Sequence, residues 1–319
     1  MKILKREILR TDMTTSWQMK APVALSIFTR PDTTERVFEI IRQAKPPKLL
    51  VFADGPRPER PGEAEKCAAA RAIIERVDWD CEVLKNYSEI NLGPGRRISS
   101  GLNWVFDNVE EAVVLENDCR VHPTFFHLCD ELLERYRYDT RIASIAAQNL
   151  QFGRRRTEDS YYFSRYTHSW GWATWRRAWH HYDFDMKHWL EIKAGNFLRD
   201  ILSDTQAVKY WTETFDAMYA KRLDTWDYPW TFACWIQSGL TIIPNVNLVS
   251  NIGFDSEAAN FKNKTSKFDD PPIEALEFPL KHPPFVIRNA EADNFTQKNI
   301  FRRTWFNQFK AIVKNRLGI

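Results

Sequence analysis

Apolar residues fall alternately into short runs and helical stripes from about residue 23 to residue 148. VALSIFT (23–29) is apolar and β-rich and predicts a strand. Asp32, with Glu35 three residues on, reads as a capping box. It would open a helix whose apolar face is Val37, Ile40, Ile41 and Ala44, closed by Pro46 and Pro47. KLLVFAD (48–54) predicts a second strand, a helix follows over about 62–77, and CEVLKN (81–86) predicts a third strand. After the loop NYSEINLGPG comes a helix with Ile98, Leu102, Val105 and Phe106 on one side. EAVVLE is the fourth strand. Pro123 opens a helix carrying Phe125, Leu128, Cys129, Leu132 and Tyr136 at helical spacing, and RIASIAAQ (141–148) is the fifth strand. Strand–helix alternation of this kind predicts an α/β fold with a doubly wound, mostly parallel sheet.

Beyond about residue 150 the alternation stops. The chain turns Trp-rich and irregular, with a helix near 206–221 and an apolar piece, LTIIPNV, near 240–246. No repeat and no low-complexity linker appears. The expected organisation is an extension over 1–20, a ligand-binding half over 21–150, and a second half of the same domain over 151–290. An amphipathic helix is expected over 291–319.

Composition narrows the function. The chain has 319 residues, 44% of them hydrophobic, enough for a sizeable core. Its 45 basic and 42 acidic residues set up no global field for nucleic acid, and no basic, aromatic-interleaved motif is present. Thirteen Trp residues suit sugar faces and protein cores alike. Cys67, Cys81, Cys119, Cys129 and Cys234 lack a Cys-x-x-Cys spacing and read as free thiols in a reducing compartment. MKILKREILRTD lacks the apolar stretch of a signal peptide, and no run approaches the roughly 18 apolar residues of a spanning helix. The expectation is a cytoplasmic protein. KNIFRRTWFNQFKAIVKNRLGI, at the end of the sequence, mixes aromatic and basic residues. It fits either a helix lying on the inner face of a membrane or a helix docked on the domain.

In open α/β sheets ligands bind at the carboxyl ends of the strands. Those ends hold Thr29 and Arg30; Asp54, Gly55 and Arg57; Asn91 and Gly93; and Glu116, Asn117 and Asp118. A carboxylate closing an apolar strand loses solvation unless it finds a partner. The first turn, FTRPDTT, has no Gly-x-Gly-x-x-Gly and no P-loop lysine, so a dinucleotide dehydrogenase or P-loop enzyme is not expected. A diphosphate bound here would need another counter-charge. A divalent cation, Mg²⁺ or Mn²⁺, held by Asp118 would supply it, since such ions need only one or two protein carboxylates when phosphates complete the shell. Arg30, Arg57, Arg96 and Arg97 offer phosphate contacts or simply solvated charge. Arg154 to Arg156 read as a solvated run, His168 as structural, and His122, just past Asp118, as a loop residue with a metal-ligand role as the alternative.

These strand tips resemble the GT-A-fold, nucleotide-sugar-dependent glycosyltransferases, over roughly residues 22–255. LENDC corresponds to that family's acidic triplet, with Asn117 where a carboxylate is frequent. NLGPGRRISSGLNW is similar to its Asn-x-Gly stretch and following helix. SWGWATW (169–175), TWDYPW (225–230) and SNIGF (250–254) resemble segments of N-acetylglucosaminyltransferase I-like enzymes and of a broad bacterial group of sugar transferases. Tyr228-Pro229 departs from the Trp-Asp-Asp-Trp pattern, leaving one acidic residue where two are expected. The resemblance implies an inverting transferase that moves a sugar from a nucleoside-diphosphate donor to a glycan or lipid-linked acceptor. Polysaccharide or lipopolysaccharide synthesis is the implied setting. Asp118 would meet the metal and Asp54 the nucleobase. Thr29, Arg30, Asn91, Gly93, Arg97, Glu116 and Asn117 would border the donor. Asp227 would be the base, and Trp170, Gly171, Trp172 and Trp226 would form the acceptor wall. A non-catalytic sugar-binding protein would keep the Trp clusters without needing Asp118 or Asp227. A sugar-nucleotide nucleotidyltransferase would need a glycine-rich first loop. A glycosidase would use paired carboxylates without a metal.

Overall fold

The computed structural model describes residues 17–254 and 272–301. In chain order it runs β1 (Val23–Ile27), α1 (Pro31–Ala44), β2 (Lys48–Ala53), α2 (Glu63–Ile74), β3 (Glu82–Tyr87), α3 (Gly93–Asn108) and β4 (Glu111–Glu116). Then come β5 (Cys119–Val121), α4 (Thr124–Arg135), β6 (Ile142–Ala146), β7 (Tyr161–Ser164), β8 (Trp172–Trp175) and α5 (Arg176–Trp179). They are followed by α6 (Trp189–Ala194), α7 (Leu198–Ile201), α8 (Thr205–Tyr219), α9 (Asp227–Ile236), β9 (Leu240–Pro244), β10 (Val249–Asn251) and α10 (Ala290–Asn299).

The main sheet has the order β3-β2-β1-β4-β8-β6-β9-β7. β1 pairs in parallel with both β2 and β4, and β2 with β3. The first three strands step outward from β1, and the chain then returns to place β4 on the other flank of β1. That reversal of direction makes a crevice between β1 and β4 at their carboxyl ends, the place where such sheets bind ligands. Along both strands alternate residues serve opposite faces. Val23, Leu25, Val113 and Leu115 pack with α1 and α4 on one side, while Ala24, Ala112 and Val114 pack with α3 and α9 on the other. This is the doubly wound, mixed but largely parallel α/β architecture that the alternation predicts.

Two details depart from expectation. Pro31 is the first residue of α1 and Arg30 its N-cap, so Asp32 lies inside the first turn and no side chain caps the helix. The Thr34 hydroxyl bonds back to the Arg30 carbonyl at 2.7 Å instead. The second departure is larger. SWGWATW is not a surface segment: its last four residues form β8, buried throughout and inserted antiparallel between β4 and β6. Gly171 admits the strand, at φ +62, because a β-carbon there would lie 2.9 Å from Val121 and 3.2 Å from Ala147.

β5 and β10 form a separate antiparallel ribbon beside the β4 tip. α10 docks against the sheet edge: Ala292, Asp293, Thr296 and Gln297 are buried. Asp293, with its side chain fully enclosed, accepts from Ser164 at 2.6 Å and pairs with Arg165 at 3.1 Å and Arg288 at 3.0 Å. So the start of the expected C-terminal amphipathic helix packs on the domain; its residues 302–319, and most of the expected 1–20 extension, lie outside the described residues. No described helix is long and apolar enough to cross a membrane.

Candidate functional site

The crevice between β1 and β4 is lined at its floor by carboxylates. Glu116, the last residue of β4, stands opposite Ser26 of β1 in the parallel register. Asn117 donates to the Thr34 hydroxyl at 3.4 Å, which ties it to α1. Asp118 follows in the turn into β5. Its carbonyl accepts from Ile252 N–H at 2.8 Å, and its carboxylate accepts a hydrogen bond from Asn251. Arg30, from the β1 tip, donates to the Gly253 carbonyl at 2.8 Å and lies close enough to Asp118 to favour its ionised form. Thr29 sits half-buried at the same tip.

The opposite wall of the crevice is α9. The segment expected to be an irregular loop is the first turn of that helix, and it presents Asp227 toward Glu116. The Thr225 hydroxyl and the Tyr228 N–H, the latter at 3.0 Å, both donate to Asp227 Oδ1. Oδ2 takes no part in these bonds. Trp226 is buried, and its side chain donates to Glu116. α9 is therefore fastened to the β4 tip by an indole, and Glu116 lies between two other acids.

Electrostatics follow from this crowding. Each of the three residues is only partly buried as a whole, yet so much protein surrounds the carboxylates that loss of hydration dominates. The Glu116 carboxyl is pushed up to about 8, first by burial, then by repulsion from Asp118 and Asp227, with the Trp226 bond opposing. Asp118 is raised by burial, against the Arg30 charge and the Asn251 bond. Asp227 is raised by burial, against the Thr225 and backbone bonds. Three acids raised together in one crevice mark a site that gains from a bound cation or proton.

Several expected site residues are committed elsewhere. Asp54, 7% exposed, accepts from the N–H groups of Gly55 (3.0 Å), Leu92 (2.9 Å) and Gly93 (3.1 Å), so its carboxylate anchors the loop before α3 and does not open toward a base. Asn91 donates to the Gly55 carbonyl at 2.9 Å, closing the same loop. Arg97 is buried, donates to the carbonyls of Ala53 and Asn86, and stacks over Phe52. It joins the β2 and β3 tips rather than awaiting a phosphate. Trp172 and Trp226, 1% and 4% exposed, stack on each other at 5.3 Å, so neither offers a free ring face to a sugar. Trp170 is half-buried against the core, and Gly171 is the tight entry to β8. His168 is buried and its ring is pushed down to about 4 by burial. His122 Nδ1 bonds the Thr124 hydroxyl at 2.8 Å.

Other residues at the site carry no clear signal in the sequence. Asp224 accepts from Gly95 N–H at 3.0 Å, joining the start of α3 to the loop that leads into Asp227. Asn251 and Gly253 face Asp118. SNIGF is visible as a motif, but its partner Asp118, 133 residues before Asn251, is not legible from spacing.

Glu116 and Asp118 stand two residues apart with mutual repulsion, while among the described residues no three or more His, Cys, Asp or Glu groups converge as a closed metal cage. A cation held by Glu116 and Asp118 would have to draw its remaining ligands from waters and phosphate oxygens.

No protein-family model matches the chain, and no curated protein does. Among solved structures it is similar to glucosyl-3-phosphoglycerate synthase from Mycobacterium tuberculosis with Mn²⁺, UDP and glucosyl-3-phosphoglycerate. That similarity has 16% identity and a TM-score of 0.31, over 50% of this chain and 57% of that one. With the same enzyme bound to Mn²⁺, UDP and phosphoglyceric acid the values are 16% and 0.30, over 50% and 56%. With a mycobacterial protein they are 16% and 0.31, over 50% and 54%. The chain thus spans little more than half the length of these structures. Scores this low carry no weight for the site, and the fold assignment rests on the strand order given above.

Proposed function

We propose that this protein is a metal-dependent, inverting glycosyltransferase using a nucleoside-diphosphate hexose or N-acetylhexosamine. The observation that carries the reading is the meeting of Glu116, Asp118 and Asp227 at the β1/β4 crevice, two on a strand tip and one on the facing helix. A single base opposite a diphosphate site is what one in-line displacement requires.

Asp118, with Glu116, would hold a divalent cation, which when bound neutralises charge on the departing diphosphate. The remaining work belongs to side chains. Asp227 takes the proton from an acceptor hydroxyl, whose oxygen attacks the anomeric carbon as the bond to the diphosphate oxygen breaks. A base raised above the usual aspartate range by burial is better matched to neutral pH, and such a base contributes about 10²–10⁴ in rate. Thr225 and Tyr228 N–H hold Oδ1, fixing the carboxylate plane. Trp226 sets Glu116, which orients a donor hydroxyl. The packed indoles of Trp172, Trp226 and Trp230 form a dry backing to the crevice and keep water from the donor. A glycan or lipid-linked acceptor, a cell-surface polysaccharide pathway and a place in the cytoplasm, with membrane contact through residues near the C-terminus, belong to the same proposal.

The sugar-binding alternative needs exposed ring faces, and the buried Trp172 and Trp226 do not supply them. The test combines two measurements. UDP or GDP with Mn²⁺ should raise the melting temperature, and Asp227→Asn should keep that shift while lowering donor turnover at least 100-fold. A protein that shows no nucleotide-dependent shift under any metal condition is not this enzyme.

A further inference from the structure

The acid at the β4 tip is gripped from a distant part of the chain. Asn251 lies opposite Cys119 in the β5–β10 ribbon, next to Asp118. Ile252 N–H bonds the Asp118 carbonyl at 2.8 Å. The Asn251 side chain works in two directions: its oxygen accepts from Gly253 N–H at 2.7 Å, and it also hydrogen-bonds the Asp118 carboxylate. Gly253 packs directly on that carboxylate. A β-carbon at this position would collide with Asp118 Oδ2, come within 3.1 Å of its carboxyl carbon and lie 2.8 Å from Asn251 Oδ1. The Gly253 backbone is not in the left-handed region, so conformation alone does not demand glycine. Only the contact does. Arg30 then closes the arrangement from the β1 side by donating to the Gly253 carbonyl at 2.8 Å.

We propose that Asn251 and Gly253 are positioning residues that set the rotamer of Asp118, and that Arg30 locks them to the β1 tip. This rests on the role given to Asp118 above. The physical logic is preorganisation. A cation site of only two carboxylates gains little from its ligand count, so its strength depends on holding those oxygens still before the ion arrives. A glycine here removes the one group that would push the carboxylate aside, and an amide supplies a bond that fixes its plane. Arg30, expected to meet phosphate, acts first as a bolt between two halves of the chain.

Two measurements test this. The first is a stability cycle with Gly253→Ala, Asp118→Ala and the double variant, read by thermal unfolding. Gly253→Ala should lower the melting temperature by several degrees in the parent and by measurably less where Asp118→Ala has removed the carboxylate and only the Asn251 Oδ1 contact remains. Equal losses in both backgrounds would overturn the contact. The second is Mn²⁺ binding in the presence of UDP, followed by electron paramagnetic resonance on variants with parent-like circular dichroism. Gly253→Ala and Asn251→Ala should weaken Mn²⁺ retention at least tenfold, and unchanged retention overturns the positioning role. If the parent itself retains no Mn²⁺ with UDP, the transferase reading fails, while the stability cycle still decides whether the brace exists.

Discussion

Substituting Asp54→Asn separates two roles for one carboxylate. If Asp54 met a nucleobase, an isosteric amide would change ligand affinity and leave the fold alone. The structure instead directs both oxygens at backbone N–H groups: Oδ1 at Gly55 and Leu92, Oδ2 at Gly93. Asparagine keeps one acceptor. The other position becomes an amide nitrogen facing the Gly93 N–H about where a 3.1 Å bond was made. A hydrogen bond to a charged group is worth about 1.5–3 kcal/mol, and a buried N–H left without a partner costs about 1–3 kcal/mol. These describe one interaction seen from two sides, so the expected loss is about 2–3 kcal/mol. Asp54→Ala, which removes all three bonds, should cost about 3–5 kcal/mol, less than three separate bonds because neighbours couple. Urea titration with unchanged slope would read this as a lower midpoint. Hydrogen exchange should show the Leu92 and Gly93 amides losing protection first. Stability within about 0.5 kcal/mol of the parent, with those amides still protected and UDP affinity reduced, would refute the anchoring role.

Three other outcomes follow from the same coordinates. Glu116, raised from 4.5 to about 8, disfavours its charged form in the folded state, so its contribution is intact at low pH and is lost as pH climbs through that interval. Melting temperature against pH, in metal-free buffer, should therefore fall less for Glu116→Gln than for the parent between about pH 5 and 8. Trp172→Ala empties a core position and should cost about 3–5 kcal/mol by chemical denaturation, a stability effect with no acceptor specificity. Asp293→Ala leaves the buried Arg165 without its carboxylate and should cost about 3–5 kcal/mol, with part recovered in Asp293→Ala/Arg165→Met.

The first four strands were readable because their apolar runs are short, bounded by turn residues and separated by helical stripes. The acidic tip of β4 was readable because an acid ending an apolar run has few uses. The direction in which a polar residue at a strand tip points was not readable. Asp54 and Arg97 look like ligand contacts in the sequence, yet both turn inward to satisfy carbonyls and amides of their own loops, as buried polar groups must. Tryptophan misleads for a related reason. The same ring suits a sugar face or a core, and in β8 the choice is made by β4 and β6, which leave room for one more strand. Asp227 was singled out through a motif, but its place on a helix was hidden by Pro229, which sits in the first turn, where proline is tolerated. The pairing of Gly253 with Asp118 depends on chain return over a long separation, and no local pattern encodes that.

The insertion of β8 between β4 and β6 also dictates an order of assembly. During synthesis β4 emerges long before residues 172–175, so one rim of the growing sheet has its amides and carbonyls unpaired until that late segment arrives. β6, made in between, ends two places from β4 and joins that rim only through β8. Any intermediate that folds before that segment arrives carries an open seam along β4, a surface on which a chaperone or a second chain would compete with the missing strand.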